Sequence, residues 1–500
     1  MRRDRTRTTP SMMDRALGER LPVLAAALRG PGTASGDARA EVLTLLTGAD
    51  DDVTWLALAV ISGQLPTTAT VQRVRRAAQL DGPEVILKAA LEALRIEGGR
   101  AEVQVASGAV VIDIEHLSRT SLGTGIQRVT RETLKRWAKD HEITAAGWLT
   151  DHTAMRRLTE PELSVALGHT KAVLAPVGMA PAVRRPQVIV PWESTYVLPE
   201  VVLEPGRTRR LEPLFRFSRS RTAAIGFDTV PLTSAETSAA DVPPHFALEL
   251  AAIRHVDRVA TISEAAGTEY LGWRTMVRSM GLAGPDIAAI SLPVEAAEPS
   301  PAALAEASCR YVVPTIPMVL CVGSHEPRKN HLAVLHAAEL LWRSGVEFSL
   351  LFVGGNAWKS EGFTQRLAEL RASGRPVESV LGLSDRLLWA LYSLAHCTVF
   401  PSVNEGFGLP VAESLASGTP AITSQFGSML EIACDGGALT VDPRDDHSLA
   451  AALRSLLTDR ALHERLVLET RSRPQRTWDQ YAAETWDYLV DQNVSAAAGL

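Results

Sequence analysis

Two glutamates, Glu405 and Glu413, lie either side of a glycine-rich loop in Asn404-Glu405-Gly406-Phe407-Gly408-Leu409-Pro410-Val411-Ala412-Glu413. Cys397-Thr398-Val399-Phe400-Pro401 before it is a short apolar run ended by proline, which reads as a buried strand. After it, Pro410 suits the first helical position. Val411, Leu415 and Ala416 then repeat at helical spacing until Gly418. Gly406, Phe407, Gly408 and Leu409 therefore stand at a helix N-terminus, where unpaired N–H groups and the positive dipole end attract anionic or hydroxyl oxygens. Glu405 would sit at the strand end and Glu413 in the first helical turn, both able to accept hydrogen bonds from ligand hydroxyls. The plain alternative is that Glu413 only complements the dipole and Glu405 is solvated.

Three further stretches carry residues of the right type. Arg328 and Lys329 follow an apolar strand pattern at 317–323 and precede a helical one at 330–344. Two cations at a helix start oppose the dipole but suit a diphosphate; a solvated pair is the alternative. Gly123, Thr124 and Gly125 make a glycine turn between the strand-like run 109–114 and a helix from Ile126 to Trp137, where backbone can approach phosphate closely. It lacks the GxGxxG of nicotinamide enzymes and could be a tight turn only. Asp228 ends the run Ala223-Ala224-Ile225-Gly226-Phe227 at a strand's carboxyl edge, the side where open α/β sheets bind ligands; capping its own turn is the alternative.

The elements that must hold these residues read as several domains, as 500 residues require. Residues 1–10 are basic and polar and read as a disordered tail. From 15 to about 98 the pattern is helical, with Leu21, Leu24 and Leu28 on one face, Gly30, Gly48 and Gly63 at helix ends, and Asp51 as an N-cap. No candidate site residue lies there, so the segment reads as separable from the core. The loop Ser118 to Gly125 and strand runs at 187–191, 223–228 and 257–262 continue the pattern, with Ser263 as an N-cap. Residues 293–308, rich in proline, alanine and glutamate, read as a linker. Beyond them strand and helix alternate at 317–323, 330–344, 348–354, 361–373, 377–381 and 384–394, the rhythm of a doubly wound parallel sheet. Trp478 to Leu489 reads as an amphipathic helix anchored by Trp478, Tyr481 and Trp486.

Composition excludes some classes. A net charge of -6 argues against a general nucleic-acid binder. No run approaches the length of a membrane span, and Asp14 and Glu19 spoil a signal peptide, so a cytoplasmic location is expected, with the inner membrane face as a variant. Cys309, Cys321, Cys397 and Cys434 are widely spaced and read as buried free thiols, not a zinc site or disulfides.

The segment EGFGLPVAE with the following Ser414-Leu415-Ala416-Ser417-Gly418-Thr419-Pro420, together with Val322-Gly323-Ser324-His325-Glu326-Pro327-Arg328-Lys329-Asn330 and Leu383-Ser384-Asp385-Arg386, resembles the donor site of glycosyltransferase family 4. TGIQRV and EPRKN look most like its mannosyl- and rhamnosyltransferase branch. The resemblance implies an α/β GT-B fold: two facing Rossmann-like doubly wound parallel-sheet domains, here with an extra N-terminal α-helical segment. The boundaries expected are 1–104 for that segment and tail, 105–300 for the acceptor domain, 301–475 for the donor domain and 476–500 for a helix crossing back. It implies a retaining, metal-independent hexosyltransferase in polysaccharide or glycoconjugate synthesis. The substrates would be a nucleotide sugar, GDP-linked by preference, and a hydroxyl acceptor, with no cofactor. Glu405 and Asp228 would be catalytic. Gly123, Thr124, Gly125, Arg328, Lys329, Val380, Gly406, Phe407, Gly408, Leu409 and Glu413 would bind the donor, with Glu413 on the ribose and Val380 lining the base through its backbone. Two positions depart from the pattern: Phe227 stands where many relatives have histidine, and Ser324 where some have arginine. A homodimer and a peripheral membrane contact stay open. The rival readings are a GT-B sugar-nucleotide epimerase, a phosphorylase, and a binding or scaffold protein with a decayed site.

Overall fold

A computed structural model of the chain describes residues 10–30, 36–94, 101–120, 124–170 and 186–491. Gly123 and all of the expected tail but Pro10 lie outside them. The first sheet has nine strands: β1 (Glu102–Ala106), β2 (Val110–Asp113), β3 (Thr144–Trp148), β4 (Met155–Arg157), β5 (Gln187–Pro191), β6 (Thr195–Leu198), β7 (Arg221–Gly226), β8 (Arg258–Thr261) and β9 (Asp286–Ala289). Their order is β1-β5-β4-β3-β2-β6-β7-β8-β9. All pairs are parallel except those of β4, which runs antiparallel to β3 and β5. The second sheet has β10 (Met318–Val322), β11 (Ser349–Val353), β12 (Val377–Val380), β13 (Cys397–Phe400), β14 (Ala421–Ser424) and β15 (Ala438–Val441). It is wholly parallel, in the order β12-β11-β10-β13-β14-β15. Its central strands are apolar and buried because helices cover both faces. Strand order reverses between β2 and β6 in one sheet and between β10 and β13 in the other, and such switch points open crevices at the carboxyl ends of strands.

The N-terminal helices are less separate than the sequence suggests. Trp55, Leu56, Val60 and Ile61 of the Asp51–Ser62 helix share one apolar core with Val103, Val188, Val190 and Trp192 of the first sheet. Arg20 donates to the carbonyls of Ile61 and Ala101 at 2.8 and 2.9 Å, and the N–H of Leu65 to Thr153 at 2.9 Å. A boundary at 104/105 would fall inside β1, whose strand pattern is too short to stand out from the preceding helices. The N-cap is Asp50, which accepts from the N–H of Val53 at 2.8 Å, while Asp51 is the first helical residue.

Three other expectations change. Ser118 belongs to a short helix, Glu115–Arg119, not to a loop. The expected linker folds in part as the helix Pro301–Tyr311, since alanine favours a helix and Ser300 and Pro301 start it well. Only Cys321 and Cys397 are buried; Cys309 and Cys434 are exposed, lying on or beside helices and not within strands. The terminal helix spans Trp478–Trp486 and continues to Asp491 as a wider turn. It crosses to the first domain, where Trp137 donates to the Ala482 carbonyl at 2.9 Å and Trp486 stacks on His141. No helix of the described residues is long and apolar enough to cross a membrane.

Candidate active site

At the second switch point, β10 leads into Arg328 and Lys329 and β13 into Glu405. A tight 3-10 turn, Pro327–Lys329, closed by Asn330 in the left-handed region, sets both cations on the crevice side of β10. Lys329 Nζ donates to Glu405 Oε1 at 2.5 Å, and Arg328 lies 2.5 Å from Glu405 Oε2 and 2.8 Å from Glu326. The Ser402 hydroxyl adds a bond to Glu405 at 2.7 Å, and Arg328 donates to the Asn404 carbonyl at 2.8 Å. Burial opposes the Glu405 charge, but Arg328, Lys329 and Ser402 outweigh it and hold the carboxyl down at about 2. Burial pulls the Lys329 pKa below its ordinary value despite Glu405. It opposes the Arg328 charge too, yet Glu405 and Glu326 together raise that pKa.

The loop that follows has the geometry its sequence suggests, except that the helix starts at Leu409, one residue before Pro410, so Glu413 falls beyond its first turn. Gly408 caps the helix Leu409–Ala416 at φ 107°, a conformation that requires glycine. Among the described residues, the backbone N–H groups of Gly406, Phe407, Gly408 and Leu409 find no protein acceptor. Phe407 is buried. Glu413 points its carboxylate at the Tyr392 hydroxyl, 2.8 Å away, and at Arg128 of the first domain. Burial raises its pKa, against Arg128 and Tyr392. Val380 ends β12, and its carbonyl already accepts the N–H of Gly354 at 3.1 Å.

The first domain closes on this loop. A Cβ on Gly406 would stand 2.4 Å from the Phe227 carbonyl and 3.0 Å from Asp228, so only glycine allows this approach. Asp228 follows β7 and accepts the N–H of Val230 at 3.0 Å, as a turn cap would. Burial pushes its carboxyl up to about 6; Arg328 pulls against this, while Glu405 and Glu269 add to it. Asp228 is thus both cap and crevice carboxyl. Ser263, expected as an N-cap, accepts from Ala266 at 2.9 Å and also donates to the Gly406 carbonyl at 2.6 Å. Thr124 and Gln127 form a capping box that starts the helix Gly125–Asp140, and Gly125 lies against Leu409, so two helix N-termini face each other. Asn404 reaches Thr233 at 3.0 Å, and Trp358 donates to the Thr237 carbonyl at 2.7 Å, both across the crevice.

Sequence reasoning overlooked Arg128, Tyr392, Ser402 and Glu269. Arg128 stood one turn beyond the glycine loop, and that placement was the available signal. It also overlooked a buried network at the first switch point. Arg207, fully buried, lies 2.9 Å from Asp113 and within 4 Å of Glu200 and Glu204, and Glu204 in turn bonds His116. Burial, opposed by Arg207, lifts Glu200 to about 7; burial also opposes the Glu204 charge, but His116 and Arg207 hold that carboxyl at about 2.

Two facing domains of this kind, joined by a crossing terminal helix, define the GT-B architecture. Residues 313–473 match the family model of the glycosyl transferases group 1. Over 335 residues, 65% of this chain and 40% of the relative, the chain is 25% identical to the serotype-specific mannosyltransferase WbdA of Escherichia coli. It is 36% identical over 174 residues to the MMP alpha-(1->4)-mannosyltransferase of Mycolicibacterium hassiacum, covering 33% of this chain and 41% of the relative. The chain thus spans less than half the length of these curated relatives. A glycosyltransferase structure from Rickettsia africae aligns with a TM-score of 0.52 at 14% identity, covering 78% of this chain and all of that one. WaaG, a glycosyltransferase involved in lipopolysaccharide biosynthesis, aligns with 0.50 at 14% identity, covering 76% and 99%. At such identities the structures show the fold alone. The sequence matches bear out the resemblance to glycosyltransferase family 4, and the mannosyl branch fits them.

Proposed function

We infer that the chain is a retaining hexosyltransferase that needs no metal. It would move a mannose- or rhamnose-like sugar from a nucleoside diphosphate, GDP by preference, to a hydroxyl acceptor in polysaccharide or glycoconjugate synthesis. The observation that carries this is the convergence of Arg328, Lys329 and the unpaired N–H groups of Gly406 to Leu409 at one switch point, with Asp228 pressed against it from the other domain. The named mannosyltransferase relatives support the sugar and the pathway class.

In this reading the two cations and the helix-end amides stabilise the diphosphate as it departs. Each cation keeps donors beyond those given to Glu405, because a lysine has three and an arginine five. Glu405 keeps the cations in place and offers its remaining lone pair to a sugar hydroxyl. Asp228 faces the reacting sugar, and Glu413 takes the ribose. By analogy with the family, the acceptor oxygen attacks the face the diphosphate leaves, and a diphosphate oxygen takes the acceptor's proton.

Thermal melting with GDP, UDP, ADP and dTDP in a chelator tests the reading. A ligand at a hundred times its Kd stabilises by about 2.7 kcal/mol, a visible shift. One diphosphate should raise the melting temperature clearly more than its monophosphate, and Lys329→Ala should abolish that preference. Anomeric proton NMR of the transfer product then reports retention. If no nucleotide shifts the curve at millimolar concentration, with or without Mg²⁺, the chain is a GT-B binding protein instead.

A further inference from the structure

Arg128 and Glu413 meet across the crevice. Arg128 stands on the first-domain helix Gly125–Asp140 and Glu413 on the second-domain helix Leu409–Ala416, and the two form an ion pair. The Glu413 side chain is only 9% exposed, and its other oxygen accepts the Tyr392 hydroxyl at 2.8 Å. The Arg128 guanidinium lies over the Trp389 ring, 5.6 Å from its centroid. Trp389 and Tyr392 both belong to the helix Asp385–Leu394, which follows β12 and the exposed turn at Leu381.

Local stability gives little reason for this pair. Val411, Ala412 and Leu415 already bury the Leu409–Ala416 helix, and a buried ion pair repays little beyond its own desolvation. The pair also breaks whenever the two domains part. Capacity left over points to a ligand. A carboxylate offers about four lone-pair positions, and Tyr392 and Arg128 occupy one each. The remainder suits the two hydroxyls of a ribose diol. Arg128 commits one of its N–H donors to Glu413 among the described residues, and its side chain is 32% exposed. It therefore retains donors beside the largely buried Trp389 ring.

We propose that Arg128 is a donor-reading residue supplied by the first domain. With Glu413 it clamps the nucleoside half of the nucleotide sugar: Glu413 accepts from the ribose diol and Arg128 donates to ribose or base oxygens. This rests on the donor-site reading above and divides it. Arg328, Lys329 and the loop amides hold the diphosphate, and the Arg128–Glu413 pair holds the nucleoside. The nucleoside is then gripped only when the crevice is closed, so donor binding and domain closure are one event.

Calorimetry on the full chain separates the two halves, using inorganic pyrophosphate and whichever of GDP, UDP, ADP and dTDP binds the unmodified chain most tightly. Arg128→Ala should weaken the nucleoside diphosphate by about 10- to 100-fold and pyrophosphate by less than about twofold. Lys329→Ala should weaken both. Arg128→Lys, which keeps the charge without the planar fork, should fall between and decides the matter if the alanine variant does not fold. Unchanged nucleoside diphosphate affinity in both Arg128 variants would overturn the proposal, and so would an equal loss of pyrophosphate affinity. If neither probe binds the unmodified chain, the donor-site reading fails first, and a nucleoside diphosphate that binds unaffected by Arg128 isolates the failure of the clamp alone.

Discussion

The two switch points of this molecule both gather carboxylates and cations at strand ends, yet they are built to opposite purposes. At β2/β6 the charges are buried and pair with one another, although the Arg207 nitrogens, Asp113 Oδ1 and Glu204 Oε2 have no aligned hydrogen bond among the described residues. Glu200 accepts the N–H groups of His116 and Leu117, Glu115 accepts that of Trp148, and Asp113 takes the Trp148 indole and the Tyr196 hydroxyl as well as Arg207. At β10/β13 the carboxylates and cations neutralise one another, but the adjoining amides of Gly406 to Leu409 find no acceptor among the described residues. Charge density does not distinguish a structural network from a binding site. Access does: Arg207 and Asp113 are fully buried, whereas Arg328 and Lys329 keep part of their side chains exposed toward the crevice.

The largest effect expected from this contrast is on folding of the first domain. Removing residues 1–98 strips the apolar cover from β1 and β5, so the remainder should be insoluble or melt without a cooperative transition. A soluble, cooperatively melting fragment that still binds a nucleoside diphosphate would show the helical segment to be an accessory after all. Next, Arg207→Leu should cost about 3–5 kcal/mol, since it leaves Asp113 and Glu200 buried without a countercharge. Lys329→Ala should lower the melting temperature far less while weakening diphosphate binding. The reverse ranking in melting experiments would exchange the roles of the two switch points.

Within the second switch point, Glu405→Gln should lower kcat by about 10- to 1000-fold, whereas Glu413→Gln should mainly raise donor KM. Steady-state kinetics with the two effects exchanged would reassign the glutamates. The smallest effect concerns Asp228. Its folded pKa of about 6 lies above the ordinary carboxyl value, so the folded state binds the proton more tightly and loses stability as pH rises from about 4 through about 6. Asp228→Asn should therefore melt higher than the unmodified chain at pH 8 and no higher near pH 4. Glu405, held at about 2, has the opposite sign: its contribution is present above about 4.5 and is lost as pH falls toward 2. A melting difference for Asp228→Asn that does not vary with pH would remove Asp228 from the crevice.

Much of the second domain was legible because its site is contiguous. Strand, loop and helix around Glu405 follow one another within a few residues, and Gly408, Pro410 and Gly418 punctuate them with unambiguous backbone preferences. The first domain was harder to read. Asp113, Glu200, Glu204 and Arg207 come from separate strand ends and a helix, and each alone looks like an ordinary surface charge. The linker was misread for a related reason: proline and alanine there announced both a break and a helix start, and the packing of Ala303 and Ala307 against Leu387 and Leu391 decided between them.

The sequence by itself determined the alternation of strands and helices and the glycines that turn or cap. These are local properties, set by side-chain periodicity and backbone sterics within short windows. Only the tertiary structure decided that Arg128 meets Glu413, that Ser263 holds the Gly406 carbonyl, and that Phe227 and Asp228 press on the same loop. Such contacts join residues more than a hundred positions apart. Burial, ion pairing and the pKa values that follow depend on distances through space, which spacing along the chain does not encode.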